Sequence, residues 1–243
     1  MRTSTDVRTA RVALLPGDDG RARLELRAGL VAPRVVRHGP ASAEVALVAT
    51  TASLLGGDEL RLDVEVGPGL RLELHDVAGT VAYHGRGRGC LVAVSLTVHP
   101  RALLVWESEP LVVSDGAEVV RTLYVDVADT GRLLLRDRVG LGRADQAGGD
   151  LTCRTAMTWA GRPALVEELE LGAWSYSAPG VLGGARLVDS VTALGWRPST
   201  TPATGAVFSL PEPGALARQL LTDAHHSAMA GTWRAWRGEL PSF

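Results

Sequence analysis

Lysine is absent from this sequence, and all 25 of its basic residues are arginine. GC-rich codon usage is the plainest explanation, but the absence still has a chemical consequence. It excludes Schiff-base chemistry and the lysine of a phosphate-binding P-loop. The formal net charge is only -2, and no block of like charges occurs. Nucleic acid is therefore not an expected partner.

Cysteine is scarce as well, with only Cys90 and Cys153. Their separation excludes a CxxC redox or zinc motif, and two thiols cannot build a disulfide framework, so we expect a reducing compartment. The segment 1–10 is polar and lacks the apolar stretch of a signal peptide. No run of about 18 apolar residues occurs that could span a membrane. These absences predict a cytoplasmic protein that does not enter a membrane.

The sequence is rich in alternation with a period of two. Between Glu59 and Val66, leucine and valine alternate with charged residues, which predicts a half-buried strand. A Gly-Pro-Gly turn follows at 67–69, and the same alternation resumes at 70–74, so we predict a hairpin. Turn signals recur about every 8–12 residues, as in all-β folds. Further strands are predicted at 90–98, 103–107, 119–127, 131–137, 151–159 and 163–171, with weaker candidates at 187–193 and 206–210.

The C-terminal segment has a different pattern. Leu216, Leu220 and His225 suggest one short helix. A second helix is predicted from the helical spacing of Met229, Trp233, Trp236 and Leu240. We therefore predict a mainly β chain that forms a single domain over 1–243, mostly β over 1–210 and mostly helical over 211–243.

Motifs for catalysis or phosphate binding are missing. No GxSxG nucleophile elbow and no HExxH zinc motif occurs. The glycine-rich stretch 85–89 lacks a P-loop pattern and joins two strand-like segments, so we predict a hairpin tip, with a basic interaction loop as the alternative. Cys90 shares the apolar parity of its strand, which favours a packed core thiol.

Carboxylates are crowded between Asp58 and Asp126. Many occupy the polar parity of strands, which is typical of a solvated outer face. The alternative is a polar lining between two β layers that could pass a divalent cation. Glu107 is the sharpest case, because it follows an apolar run, and a buried carboxylate there would need a partner, water or a metal.

Three blocks, in order along the chain, carry a resemblance to a known family. The first is the Gly-Gly-Asp stretch and the alternating strand that follows it, 54–66, continued by Gly69, Leu72 and Leu74. The second begins at Trp106-Glu107 and runs to 117, and the third covers 133–143. With the Trp-Arg-Ala-Trp-Arg ending at 233–237, this pattern resembles the UreD/UreH family of urease accessory proteins.

The resemblance implies a fold of packed β-sheets with helical winding and two helices near the C-terminus. It implies no enzyme activity and no tightly bound cofactor, with Ni²⁺ only in transit along a polar internal path. It implies as partners apo-urease, a UreF-type protein and a UreG-type GTPase. The candidate residues of the nickel path are Asp58, Glu73, His75, Asp76, His84, Glu107 and Asp115. The candidate partner contacts are Met229, Trp233, Trp236 and Arg237, for which core packing is an equal alternative.

The segment between Leu74 and Tyr83 departs from the family pattern, because it keeps the tyrosine but lacks the family's threonines and lysine. His75 and Asp76 could be substitute ligands or neutral changes. Two other functions stay open at this stage: a β-rich hydrolase that uses a carboxylate pair, and a generic β-sandwich binding module.

Overall fold

A computed structural model describes residues 9–18, 20–143, 146–172, 174–175, 178–200, 205–222 and 227–241. The described residues form seventeen strands and one C-terminal helix. The first strands are β1 (Ala10–Pro16), β2 (Ala22–Arg27), β3 (Val31–His38), β4 (Ser42–Ala49), β5 (Glu59–Val66), β6 (Arg71–Asp76), β7 (Thr80–Ala82), β8 (Cys90–Val98) and β9 (Leu103–Glu107). The others are β10 (Leu111–Val113), β11 (Glu118–Val127), β12 (Arg132–Leu141), β13 (Asp150–Trp159), β14 (Arg162–Leu171), β15 (Leu187–Leu194), β16 (Ala206–Ser209) and β17 (Gly214–Leu221), followed by helix α1 (Met229–Gly238).

The strands form two sheets, which we call sheet A and sheet B. Sheet A has seven strands in the order β14-β13-β11-β8-β5-β1-β2. Sheet B has ten strands, with the main order β16-β17-β15-β12-β9-β6-β4-β3. The short strand β10 pairs with β12, and β7 pairs with the other edge of β10. The central strands of each sheet are parallel to their neighbours, and antiparallel strands lie only toward the edges. The mainly β architecture predicted from the sequence is confirmed.

The chain winds helically between the sheets. Strands β5, β8 and β11 belong to sheet A, and the strand after each turn, β6, β9 or β12, belongs to sheet B. The hairpin predicted for 59–74 is therefore wrong, because the turn at 67–69 carries the chain from one sheet to the other. The hairpin tip predicted at 85–89 is wrong for the same reason, since this loop connects β7 in sheet B to β8 in sheet A. A turn motif reverses the chain, but it does not determine which strand the next segment pairs with.

The period of two explains the core. On β8, the alternation buries Val92, Val94 and Leu96, while Ser95 on the opposite parity is exposed. Equivalent rows from both sheets meet between the layers and form the larger hydrophobic cluster. Cys90 belongs to this cluster, as predicted from its parity.

Only one C-terminal helix is present within the described residues, α1, so the prediction of two is wrong. Leu216 and Leu220 lie on strand β17, which also means that 211–243 is less helical than predicted. A spacing of four residues places two side chains on one face of a helix, but four is also an even number, so both lie on one face of a strand. His225 is outside the described residues. Within the described part of the chain, no helix has the length and apolar character that crossing a membrane would require.

Candidate functional site

The seven predicted path residues occupy three different places. Asp58, His84 and Asp115 lie in loops that precede the parallel strands of sheet A. The side chains of Glu73, His75 and Glu107 lie on the outer face of sheet B, at the parity opposite to the inward-facing Leu72, Leu74, Leu104 and Trp106 of β6 and β9. Asp76 lines a cavity between the two sheets. The structure therefore does not bring the seven residues together in one path.

The three loop residues stabilise turns. An Asp58 carboxylate oxygen accepts a hydrogen bond from the Leu55 N–H at 2.9 Å, and Asp115 accepts one from the Gly148 N–H at 2.7 Å. His84 Nδ1 accepts a hydrogen bond from the Arg86 N–H at 3.0 Å. Each side chain thus has a backbone partner, which lies in the same loop for Asp58 and His84 and in the loop before β13 for Asp115.

The two glycines of the Gly-Gly-Asp stretch have a steric explanation, because side chains there would meet neighbouring atoms. A Cβ at Gly56 would lie 2.5 Å from the Arg88 carbonyl oxygen and 2.5 Å from the Gly85 Cα. Gly57 has a φ of +90°, and a Cβ there would collide with the Arg88 guanidinium. Glycine at both positions allows the loops before β5 and β8 to pack directly against each other.

Replacing Gly56 by alanine is expected to lower the free energy of unfolding by about 1–3 kcal/mol, because backbone atoms would have to move. Gly231→Ala is the matched control, since Gly231 lies in α1 with no atom near its added Cβ. Alanine there is expected to raise the stability by about 0.5–1 kcal/mol through its better helix propensity. Chemical denaturation of the two variants tests both values, and equal effects would contradict the steric account.

The outer face of sheet B has paired charges. Glu73 binds the guanidinium groups of both Arg71 and Arg237. His75 Nδ1 lies 3.9 Å from a Glu44 carboxylate oxygen. These side chains bind one another along the surface, where none of them faces the interior.

Glu107 binds Arg136 on the same face, at 2.8 Å. Arg136 also binds Asp189 through two hydrogen bonds, of 2.8 and 3.2 Å. Asp189 is fully buried and accepts a further hydrogen bond from the Ser227 hydroxyl at 2.6 Å. The partner that the apolar run before Glu107 required is thus an arginine, and neither Arg136 nor Asp189 is among the residues predicted from the sequence.

Helix α1 packs on the apolar part of this outer face. Met229, Trp233 and Trp236 are at most 3% exposed and pack against β9, β12, β15 and β17. The Trp236 indole donates a hydrogen bond to the Thr200 carbonyl at 2.9 Å. Core packing is therefore the arrangement of these three side chains in the structure, and of the four candidate partner contacts only Arg237 is exposed.

Asp76 faces a cavity of about 100 Å³ between the sheets. One carboxylate oxygen accepts a hydrogen bond from the Trp106 indole at 3.2 Å, and the other accepts one from the Glu109 N–H at 2.9 Å. Burial raises the pKa of Asp76 to about 6, although these two hydrogen bonds favour the charged form. The cavity also has the exposed loop residues Ala52, Ala78 and Gly79 in its lining, so it reaches the surface.

The raised pKa of Asp76 predicts that the stability of the protein depends on pH. Its pKa is about 6 in the folded chain and 3.8 in the unfolded one, so between these values the folded state binds more protons. Stability contributed by this group therefore falls as the pH rises from about 4 to about 6, by roughly 2–3 kcal/mol in total. Asp76→Asn is expected to remove this fall. The measurement is the free energy of unfolding of both proteins from pH 4 to 7, and parallel curves would contradict the assignment.

A second cavity, of about 30 Å³, follows the first across the interior. Arg121 on β11 and Asp137 on β12 line both cavities. Their bidentate ion pair joins sheet A to sheet B with hydrogen bonds of 2.7 and 2.9 Å. Burial opposes the charge of Arg121, but the neighbouring Asp137 carboxylate raises the guanidinium pKa.

The second cavity has a similar ion pair at its far side. Arg218 on β17 binds Glu167 on β14 with hydrogen bonds of 2.6 and 2.8 Å, again linking the two sheets. Cys153 lies in the wall between the two pairs, and burial raises its pKa to about 11. A row of polar groups therefore crosses the otherwise apolar interior, from Asp76 past Arg121 to Glu167.

The sequence contained a signal for this row. Arg121 stands at the inward parity of β11, between Val119 and Leu123, where an apolar side chain is expected. Asp137 likewise follows the buried Leu135 at the same parity of β12. A charged residue at an inward position of a strand identifies an interior polar group, and this signal was missed.

The polar groups of this row are separated from one another and do not form a closed metal site. Across the described residues, no three His, Cys, Asp or Glu side chains are arranged to hold a metal ion together. Carboxylates with arginine partners bind a divalent cation weakly, because the ion must displace the guanidinium. The row therefore has single carboxylates with arginine or backbone partners rather than a multidentate site.

Comparison with known proteins gives consistent matches. The model of the UreD urease accessory proteins matches residues 6–240. "Urease accessory protein UreD 1" of Streptomyces griseus is 42% identical over 210 residues, which cover 84% of this chain and 82% of that protein. A UreD of Parafrankia is 36% identical over 254 residues, covering 92% of this chain and 85% of that protein. A UreD of Streptomyces coelicolor is 33% identical, covering 81% and 82%.

Proposed function

The chain belongs to the UreD family of urease accessory proteins, and on this premise we propose that it delivers Ni²⁺ to apo-urease as a non-enzymatic scaffold. A role in urease maturation follows from the family itself, whose members are accessory proteins and not enzymes. The proposal adds the cargo, the route and the partners.

The observation that carries the proposal is the polar row between the sheets. A hydrated Ni²⁺ ion requires oxygen or nitrogen ligands and space for water. The cavity at Asp76 has room for several water molecules by volume, since each needs roughly 10–15 Å³ of such space. Asp137 and Glu167 supply further carboxylate oxygens along the same line. Passage through this row requires only successive weak contacts.

Of the seven sequence candidates, Asp76 is retained as a path residue. It lies in the segment in which this chain departs from the family pattern. Its pKa is raised to about 6, so most molecules carry a charged Asp76 at neutral pH. The charged form is nevertheless less stable than that of an exposed aspartate, because burial disfavours it. Such a group can accept a cation and release it.

The proposed partners are apo-urease, a UreF-type protein and a UreG-type GTPase, in the cytoplasm. The surface available to them includes Arg237 and the open outer face of sheet A, where Tyr124 is 53% and Val166 is 76% exposed. A direct role for Met229, Trp233 and Trp236 would require α1 to leave sheet B.

The test is activation of urease from its subunits and accessory proteins with and without this chain. We expect that urease made without the chain has the same amount of protein but little activity and little nickel per active site. Adding nickel in excess without the chain should not restore full activity. Equal nickel content with and without the chain would refute the proposal.

A further inference from the structure

The second cavity is a compartment between two ion pairs that both cross from sheet to sheet. Arg121 and Asp137 form the wall shared with the first cavity, and Arg218 and Glu167 form the opposite wall toward the edge strands. In each pair the arginine comes from one sheet and the carboxylate from the other. The two pairs are oriented in opposite senses, because Arg121 belongs to sheet A and Arg218 belongs to sheet B.

The ion pairs occupy the carboxylates that a cation would use. Both are bidentate, so each carboxylate oxygen of Asp137 and Glu167 accepts a hydrogen bond from a guanidinium. Such charge-assisted pairs are among the stronger hydrogen bonds in proteins. A divalent cation can bind either carboxylate well only where it replaces the arginine as the counter-ion.

We propose that Arg121 and Arg218 are gating residues, which hold the compartment closed to cations until a cation takes their place on Asp137 and Glu167. This inference rests on the proposed function and adds a mechanism to it. The replacement leaves neither of these partly buried carboxylates without a counter-ion, because the arriving ion supplies the charge that the departing guanidinium removes.

The wall between the gates would not trap the ion. Thiolates are strong ligands of nickel-like metals, but burial raises the pKa of Cys153 to about 11, so a cation that binds the sulfur must also displace its proton. The other polar groups in the wall include the neutral hydroxyls of Ser190 and Thr192. The compartment therefore binds a cation chiefly through the two gated carboxylates.

The test uses the purified full-length chain and measures Ni²⁺ binding by equilibrium dialysis. Arg121→Gln frees Asp137 and is expected to bind Ni²⁺ at least about tenfold more tightly than the unaltered chain. Arg121→Lys keeps a positive charge but not the bidentate hydrogen bonds, so its Ni²⁺ affinity should lie between those of the unaltered chain and Arg121→Gln. In Arg121→Gln/Asp137→Asn the gain should disappear. Arg154→Gln, at an exposed pair with Glu168, is the control for loss of an arginine elsewhere.

Unchanged Ni²⁺ affinity in a folded Arg121→Gln protein would overturn the gate and show that the ion pair only joins the sheets. Circular dichroism establishes folding, and Arg218→Gln, whose pair lies nearer the sheet edge, gives the decisive affinity if Arg121→Gln does not fold. Failure of the gate can be distinguished from failure of the proposed function. In the first case urease activation still depends on the chain, and in the second it does not.

Discussion

Replacing Arg136 by methionine is expected to lower the free energy of unfolding by about 3–5 kcal/mol. Asp189 has no exposed surface, and its two hydrogen bonds from Arg136 are its compensation for burial. Methionine keeps the apolar stem but leaves this carboxylate without a positive counter-charge. Ser227, which also binds Asp189, leads into α1, so the loss should loosen the start of that helix as well.

Two comparisons make the experiment specific. Arg136→Met/Asp189→Leu should recover most of the lost stability, because replacing both partners removes the uncompensated charge. Arg154→Met should change stability little, since its pair with Glu168 is about half exposed on both sides. Urea denaturation provides all three values. A double variant as unstable as the single one would show that the loss comes from packing and not from charge.

Replacing Trp236 by alanine is expected to cost about 3–5 kcal/mol, as for a large aromatic residue removed from a core. Trp236 is only 1% exposed, and its indole also donates a hydrogen bond to Thr200. The variant should in addition show faster hydrogen exchange in α1 and in the strands of sheet B beneath it.

The same variant separates core packing from partner binding. Arg234→Ala is the control on the exposed side of α1, where the side chain donates a hydrogen bond to the carbonyl of Ala230 in its own helix. It should leave stability unchanged. If Trp236→Ala also left stability unchanged and only weakened binding to a partner protein, the packing of α1 on sheet B would be contradicted.

The sequence predicts the strands well because their signal is local. Alternation of apolar and charged residues placed strands over 59–66 and 90–98, and the structure has both. Pairing depends on distant segments, so the passage from sheet to sheet at 67–69 could not be read from the turn. The strand β17 was taken for a helix because residues 216 and 220 satisfy both periods.

The candidate site was less predictable than the strands, because it also depends on contacts between distant segments. His75 and Asp76 are adjacent on one strand, so they must point to opposite faces, and only Asp76 lies at the interior. That distinction was available from periodicity, as was the inward position of Arg121. The partners were not: the pairing of Arg121 with Asp137, and of Glu107 with Arg136, depends on how the two sheets and their strands are aligned.

The most direct test of passage through the interior is the nickel content of urease matured with a plugged chain. Thr155 faces the second cavity, and Thr155→Leu would fill it, whereas Thr152→Leu adds the same bulk on the outer face of the same strand. We expect urease matured with Thr155→Leu to contain much less nickel per active site, while Thr152→Leu supports normal loading and both chains fold and bind apo-urease. Normal nickel content with a folded Thr155→Leu chain would contradict an internal path.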